Sequence, residues 1–554
     1  MQFLSMPSST ADTWCISKDL HWHLVSKNQS QIFSQPPKNT TSEDYQKQSQ
    51  NMAIVRQELK ANNKVGIDPY QSLTVIDALQ RLGIDYHFKD EIEQVLERQY
   101  MVISPYFFKN KDLCFASLCF RLLRQQHYHV HADAFDKFMD KEKKLVRKLL
   151  RGESTEALMS LYEASQLRIE DEDVLDEAEF FSCQLLNERI KFLNHHEAHT
   201  VRNTIAHPHH RSLAGFTKNH YIKDVIRGKA RCGKALQELA YLDRAFMQAI
   251  QRRELSEFSS WWNALRLADE LKYVRNQPLK WFTWSMAMLT DPSLSEERIE
   301  LTKAISFIYV IDDIFDVYGT IDDLTLFTEA VNRWDIAAIE HLPDYMKKCF
   351  RMLHEITNEI GYKVCKKHGF NPVDYLAKTW AKLCTAFLEE AKWFASGHLP
   401  EADEYLKNGI ASSGVHVALV HMFFLIGDGS TKELAESVKF DRCLISYNVA
   451  AILRLWDDLG SAKDENQDGK DGSYVACYMK EHKEASIENA REKVSELISE
   501  TWKCLNKECL SPNQYSKTFI EGSLNLARMV PLMYTYDHSQ SLPLLEEYTR
   551  EQLF

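Results

Sequence analysis

Ile305-Ser306-Phe307-Ile308-Tyr309-Val310-Ile311 runs directly into Asp312-Asp313-Ile314-Phe315-Asp316, and the reading of this stretch decides the fold. The apolar part has no polar face, so it is a helix packed in a core rather than one lying on a surface. Three carboxylates then arrive within five residues. At helical spacing Asp312 and Asp316 share one face, and Asp313 neighbours Asp316. Like charges so placed repel, and burying them unpaired is costly. Either this is a solvated acidic helix end or a cation sits there. Hard divalent ions prefer oxygen ligands, and magnesium commonly bridges one or two carboxylates to substrate phosphates.

A second acidic stretch favours the cation. Ala451-Ile452-Leu453-Arg454-Leu455-Trp456 is followed by Asp457-Asp458-Leu459-Gly460-Ser461-Ala462-Lys463-Asp464-Glu465. Asp457, Ser461 and Glu465 recur every four residues, which puts three oxygen ligands along one helix face over about 12 Å. Alone, this is a polar helix face. Paired with the first site, it is a second wall facing the same cations. Arg454 falls near that face and offers a forked donor to phosphate oxygens.

The rest of the chain sets the frame. With 554 residues there is length for two or more domains with proper cores. A net charge of −12 argues against a nucleic-acid surface. Twelve cysteines without a CxxC pair read as reduced thiols rather than disulfides or a zinc site. From Met52 onward the pattern is helical, as in Ser72 to Leu82 ending at Gly83, and no alternating strand-like segments appear. The expectation is an all-α protein with two helical domains, at 46–250 and 251–554, their junction lying between His207 and Arg253. The apolar run Val417 to Ile426 is too short to span a membrane, so no span is expected. Residues 1–45 read as an unstructured tail or a plastid transit peptide, with plastid favoured over cytoplasm; the first thirty residues lack a secretory apolar region. His195, His196, His199, His207, His209 and His210 could suggest metal ligands, but His196-Glu197-Ala198-His199 has the wrong spacing for a zinc-protease motif, and packing or surface roles are expected.

These motifs resemble those of the plant class I terpene synthases. Asp312, Asp313 and Asp316 match the family's aspartate-rich motif; Asp457, Ser461 and Glu465 match its (N/D)DxxSxxxE motif. The likeness extends through Ile76 to Tyr86, Leu161 to Ser165, Leu175 to Ala178 and Asp312 to Asp335. It implies a non-catalytic N-terminal α-barrel-like domain and a C-terminal α-bundle holding the active site; a monomer is expected. It also implies a prenyl diphosphate substrate and Mg2+, with Mn2+ as an alternative. A DxDD motif is missing, so protonation-initiated cyclisation is not expected. By the same resemblance Trp284 and Tyr534 line the cavity, where ring faces stabilise a carbocation. Ser412-Ser413-Gly414 falls where the family breaks an active-site helix, and a packing contact is the alternative there. The glycine-bearing segment Asn466 to Ser473 resembles a loop closing over diphosphate, with Lys470 a phosphate contact.

Two departures bear on the product. The family's Arg-x-Arg is Arg275-Asn276-Gln277 here, which keeps Arg275 for the diphosphate and removes one cation. The tandem arginines usual in cyclic monoterpene synthases are also missing, since no arginine precedes Arg56. Both features resemble the subgroup making acyclic alcohols, linalool from geranyl diphosphate or nerolidol from farnesyl diphosphate. An acyclic olefin synthase differs only in losing a proton instead of gaining water. A chain-elongating prenyltransferase normally has two DDxxD-like motifs, which Asp457 to Glu465 does not supply. A silent helical binding module is argued against by the intact acidic residues, and magnesium-dependent pyrophosphate release separates it from an enzyme.

Overall fold

The all-α expectation is met. The computed structural model describes residues 42–61, 70–103, 108, 111–140, 144–224, 232–271, 274–439, 442–464, 473–537 and 541–554. Among these the β-structure is one isolated bridge between Met139 and Leu145. The expected tail or transit peptide lies outside the described residues except for its last few positions.

Local chemistry sets the helix ends. Tyr70–Leu82 buries Leu73, Ile76 and Leu79 on one face and stops at Gly83, whose φ of +67° suits a residue without a side chain. The Asp112 side chain accepts the Phe115 N–H at 2.8 Å to start Leu113–Gln125. Ser154 does the same for Thr155–Ser165 through Ala157, at 3.1 Å. These helices close over one apolar core running from Val55 to Ala240, while a second, larger core gathers residues from Leu213 to Leu553.

The cores meet within a single helix. Helix α1 (Gly233–Leu265) gives Leu236, Leu239 and Ala240 to the first core and Leu255, Phe258 and Trp262 to the second. The expected junction therefore contains a rigid connector rather than a linker. Buried polar groups fasten the two parts further. Arg168 pairs with Glu179 at 2.6 Å and donates to Ser499 at 2.9 Å. Asn506 donates to the carbonyls of Gln166 and Arg168 at 3.0 and 2.9 Å.

The histidines divide as packing and surface groups. His195 and His196 are exposed, His199 faces Asn203 at 2.8 Å, and the His207 ring meets Phe216 edge-on. His210 is buried, with Nε2 2.8 Å from Asn506 Oδ1. Burial, with Arg528 nearby, pushes its imidazole down from 6.5 to about 3. The unfolded chain therefore binds the proton first. Stability from this group is complete above the unfolded value and is lost as pH falls from there towards 3. Between pH 7 and pH 5 the loss is about 2 kcal/mol. Urea unfolding at both pH values should show a steeper fall for wild type than for His210→Gln; equal falls would refute this assignment.

Candidate active site

Seven further helices build the site: α2 (Pro278–Met288), α3 (Ser295–Asp313), α4 (Val373–Ser396), α5 (Ala402–Ser412), α6 (Val415–Leu425), α7 (Leu444–Asp464) and α8 (Lys517–Tyr534). Helix α3 is the apolar run read from sequence, and Phe307, Val310 and Ile311 are fully buried.

Its acidic end differs from the sequence reading, which placed Asp316 one α-helical turn beyond Asp312. The α-helix stops at Asp313 and continues as a wider π turn, Ile314–Tyr318, closed by the Gly319 N–H donating to Ile314 O at 3.1 Å. Such turns re-aim side chains and recur at functional sites. Asp316 is solvent-exposed yet stays within the field of Asp312: loss of hydration at this crowded end of the bundle first, then that charge, holds its carboxyl well above the usual carboxylate range.

Arg275 spans two of the three acids. Its backbone N–H donates to Asp313 Oδ2 at 2.8 Å and its Nε to Oδ1 at 2.6 Å; a terminal nitrogen also donates to Asp312. Both Asp313 oxygens thus serve Arg275, and burial pushes that carboxyl up to about 6. This is a different employment from the ligand expected of Asp313. The guanidinium lies over the Tyr309 ring, 5.2 Å from its centre, and Trp284 Nε1 donates to the Tyr309 hydroxyl at 2.9 Å.

The second wall is α7. Arg454 donates to Asp457 Oδ2 at 3.3 Å, to Ser412 Oγ at 3.0 Å and to Gly409 O at 3.3 Å. A Cβ on Gly409 would stand 2.9 Å from Arg454 Cγ, so the missing side chain gives the arginine its path. Ser412 donates in turn to Glu390 of α4 at 2.6 Å. Ser413 is half-buried and donates back to the Ile410 carbonyl of α5 at 2.8 Å. Ser461 lies on α7 one turn after Asp457; its side chain, and Glu465 and Lys470 entirely, fall outside the described residues.

The walls share neighbours. The Tyr309 phenol is pushed up to about 12, first by burial, and it lies in the field of Asp312 on α3 and Asp457 on α7. Tyr534 feels Asp457, Tyr309 and Arg454. Glu390 feels Arg454 and Asp312. Glu390 and Tyr309 were invisible as site residues in the sequence. One is half of a Glu-Glu pair on a helix and the other sits inside an apolar run, so only tertiary placement distinguishes them.

The break between α5 and α6 falls at Ser413-Gly414, within the expected segment. Gly414 has φ +72°, and a Cβ there would meet Ile308 Cγ2 of α3 at 2.5 Å. The combined segment 402–425 is long and apolar enough to span a membrane, but its most apolar 18-residue stretch is 89% buried inside the protein, which makes it core. Gly414→Ala should cost about 1–3 kcal/mol from strain and overpacking. It should also shift α3, so adding Ile308→Val should recover part of both stability and turnover. A melting temperature unchanged by Gly414→Ala would refute this.

The donor set fits a divalent ion held with help. Among the described residues no three His, Cys, Asp or Glu side chains converge on one ion position. Pairs of carboxylates on facing walls suit magnesium, which fills its shell with water and substrate phosphate rather than an all-protein cage. Mutually repelling Asp312 and Asp316, the first half-buried and the second exposed, are groups that a cation would relieve.

An all-α bundle with two acidic walls over an apolar interior suits a metal-dependent enzyme acting on an anionic, apolar-tailed substrate, and comparison with known proteins identifies the class. Residues 21–208 match the terpene synthase N-terminal domain and residues 263–504 the terpene synthase metal binding domain. A probable terpene synthase 13 of Ricinus communis is 54% identical over 89% of this chain and 85% of that protein. An (E)-nerolidol synthase of Cannabis sativa is 49% identical over 88% and 89%. The chloroplastic S-(+)-linalool synthase of Arabidopsis thaliana is 43% identical over 95% and 90%. Isoprene synthase from grey poplar leaves, in complex with three Mg2+ ions and dimethylallyl-S-thiolodiphosphate, superposes with a TM-score of 0.85 at 37% identity, covering 92% of this chain and 97% of that one. The chain belongs to the terpene synthase family. It is thus a lyase-type enzyme dependent on divalent metal.

Proposed function

We propose that the protein ionises geranyl or farnesyl diphosphate and quenches the allylic cation with water, giving linalool or nerolidol. The observation carrying this reading is the pair of acidic walls that share Tyr309 and Glu390 as neighbours, with Tyr534 beside Asp457 and Tyr309. Asp312 and Asp316 on one side, and Asp457, Ser461 and Glu465 on the other, would hold Mg2+. Bound there, the metal supplies charge stabilisation for the departing diphosphate. Arg275 and Arg454, each already anchored to a carboxylate, point fixed cations at the same diphosphate. Asp313 positions Arg275 rather than binding metal. Trp284, Tyr309 and Tyr534 present aromatic surface to the cation, and the buried faces of α3 and α6 exclude bulk water.

In this reading 251–554 is the catalytic unit, 46–250 is non-catalytic, and the chain acts as a monomer. The two relatives named for acyclic alcohols support the product class, and the chloroplastic name of one supports a plastid setting. Gas chromatography after incubation with each diphosphate should show mainly the tertiary alcohol, with turnover abolished by a chelator and restored by Mg2+. Mainly cyclic olefins from both substrates would reject the acyclic reading, and myrcene, ocimene or farnesene would reject water capture.

A further inference from the structure

Tyr309 is the polar side chain of α3 between Ser306 and Asp312, one turn below the acidic wall. A hydroxyl has one donor and two acceptor sites. The Trp284 indole, a donor only, fills one acceptor site at 2.9 Å and so fixes the phenol's rotation. Its second lone pair and its proton have no partner among the described residues.

Three other hydroxyls at this level are committed, while that of Tyr534, also in the field of Asp457, has no hydrogen-bond partner among the described residues and so is not oriented as Trp284 orients Tyr309. Tyr405 donates to Asp458 at 2.9 Å, Ser412 to Glu390 at 2.6 Å and Ser413 to Ile410 O at 2.8 Å. Capture at the tertiary carbon occurs two bonds from the carbon that the diphosphate left. The attacking water must therefore sit at the acidic end of the bundle, where Tyr309 lies in the fields of both Asp312 and Asp457.

We propose that Tyr309 is the positioning residue for the capturing water, with Trp284 holding it in register; this rests on the alcohol-forming reading above. A water donating one hydrogen to the open Tyr309 lone pair keeps an oxygen lone pair for carbon. After the C1–O bond to diphosphate breaks, that lone pair forms the C3–O bond. The extra proton passes to an oxygen of the released diphosphate. Prenyl diphosphate and water thus become tertiary alcohol and diphosphate, with no redox change.

The readout is the alcohol-to-olefin ratio within one reaction mixture, with geranyl diphosphate and Mg2+ in H2(18)O. A purely structural defect scales both products together and leaves this ratio alone. Tyr309→Phe keeps the ring beneath Arg275 and removes the oxygen; losing one hydrogen bond should lower the ratio about tenfold. Trp284→Phe, which frees the phenol to rotate, should lower it about threefold and carries the test if Tyr309→Phe fails to fold. Wild-type protein making labelled alcohol, with the ratio unchanged in the folded variant, overturns this inference alone. Wild-type protein making only olefins, or unlabelled alcohol, overturns it together with the functional reading.

Discussion

Asp312→Asn should lower turnover of a prenyl diphosphate by about 10³-fold while the melting temperature holds or rises. The loss follows from charge. A carboxylate anchoring a divalent ion acts where negative charge develops on the leaving group, and deleting one such preorganised contact costs about 10²–10³ in rate. Stability should move the other way, because Asp312 raises the free energy of ionised Asp313 and Asp316 beside it. Arg275 is not orphaned by the change, since Asp313 still accepts its backbone N–H and Nε. Asp313→Asn should behave differently. It disturbs a 4% exposed anchor of Arg275 and should lower stability together with turnover. Steady-state rates and thermal melts of the two variants give the comparison, and an Asp312→Asn enzyme working at the wild-type rate would end the metal assignment.

That contrast marks where sequence reasoning succeeded and where it stopped. The burial of most of the run, Ile305, Phe307, Val310 and Ile311, was legible because an apolar run without a polar face has one stable home, while Ile308 and Tyr309 are half-buried. The helix break was legible only through the family resemblance, and Gly414 is the residue that takes the φ of +72° it needs. Spacing alone could not reveal the π turn after Asp313, because α and π helices carry the same residues and differ only in which carbonyl each N–H finds. The employment of Asp313 was hidden for a related reason: Arg275 lies 38 positions away, and its fork is created by tertiary packing. Continuity of α1 through the expected junction likewise left no mark, because its apolar residues change partners between Ala240 and Leu255 without breaking helical period.

Glu254→Leu should destabilise the protein by about 3–5 kcal/mol. Glu254 on α1 and Arg298 on α3 are both fully buried, and they form a bidentate pair at 2.9 and 2.7 Å. Arg298 also donates to the carbonyls of Leu289 and Asp291 at 2.8 and 2.6 Å. Removing the carboxylate strands a guanidinium where water cannot reach it, and that desolvation makes up most of the cost. Glu254→Leu with Arg298→Met should therefore be more stable than Glu254→Leu alone. Recovery should stop short of wild type, because the two carbonyls lose their donor, at about 1–3 kcal/mol each. Should the double variant melt no higher than the single one, the stranded charge is not the main source of the loss and the clamp on the Leu289 and Asp291 carbonyls, between α2 and α3, matters more. The distinction bears on the site, because α3 is the helix that carries Tyr309, Asp312 and Asp313, and whatever fixes its base fixes their aim.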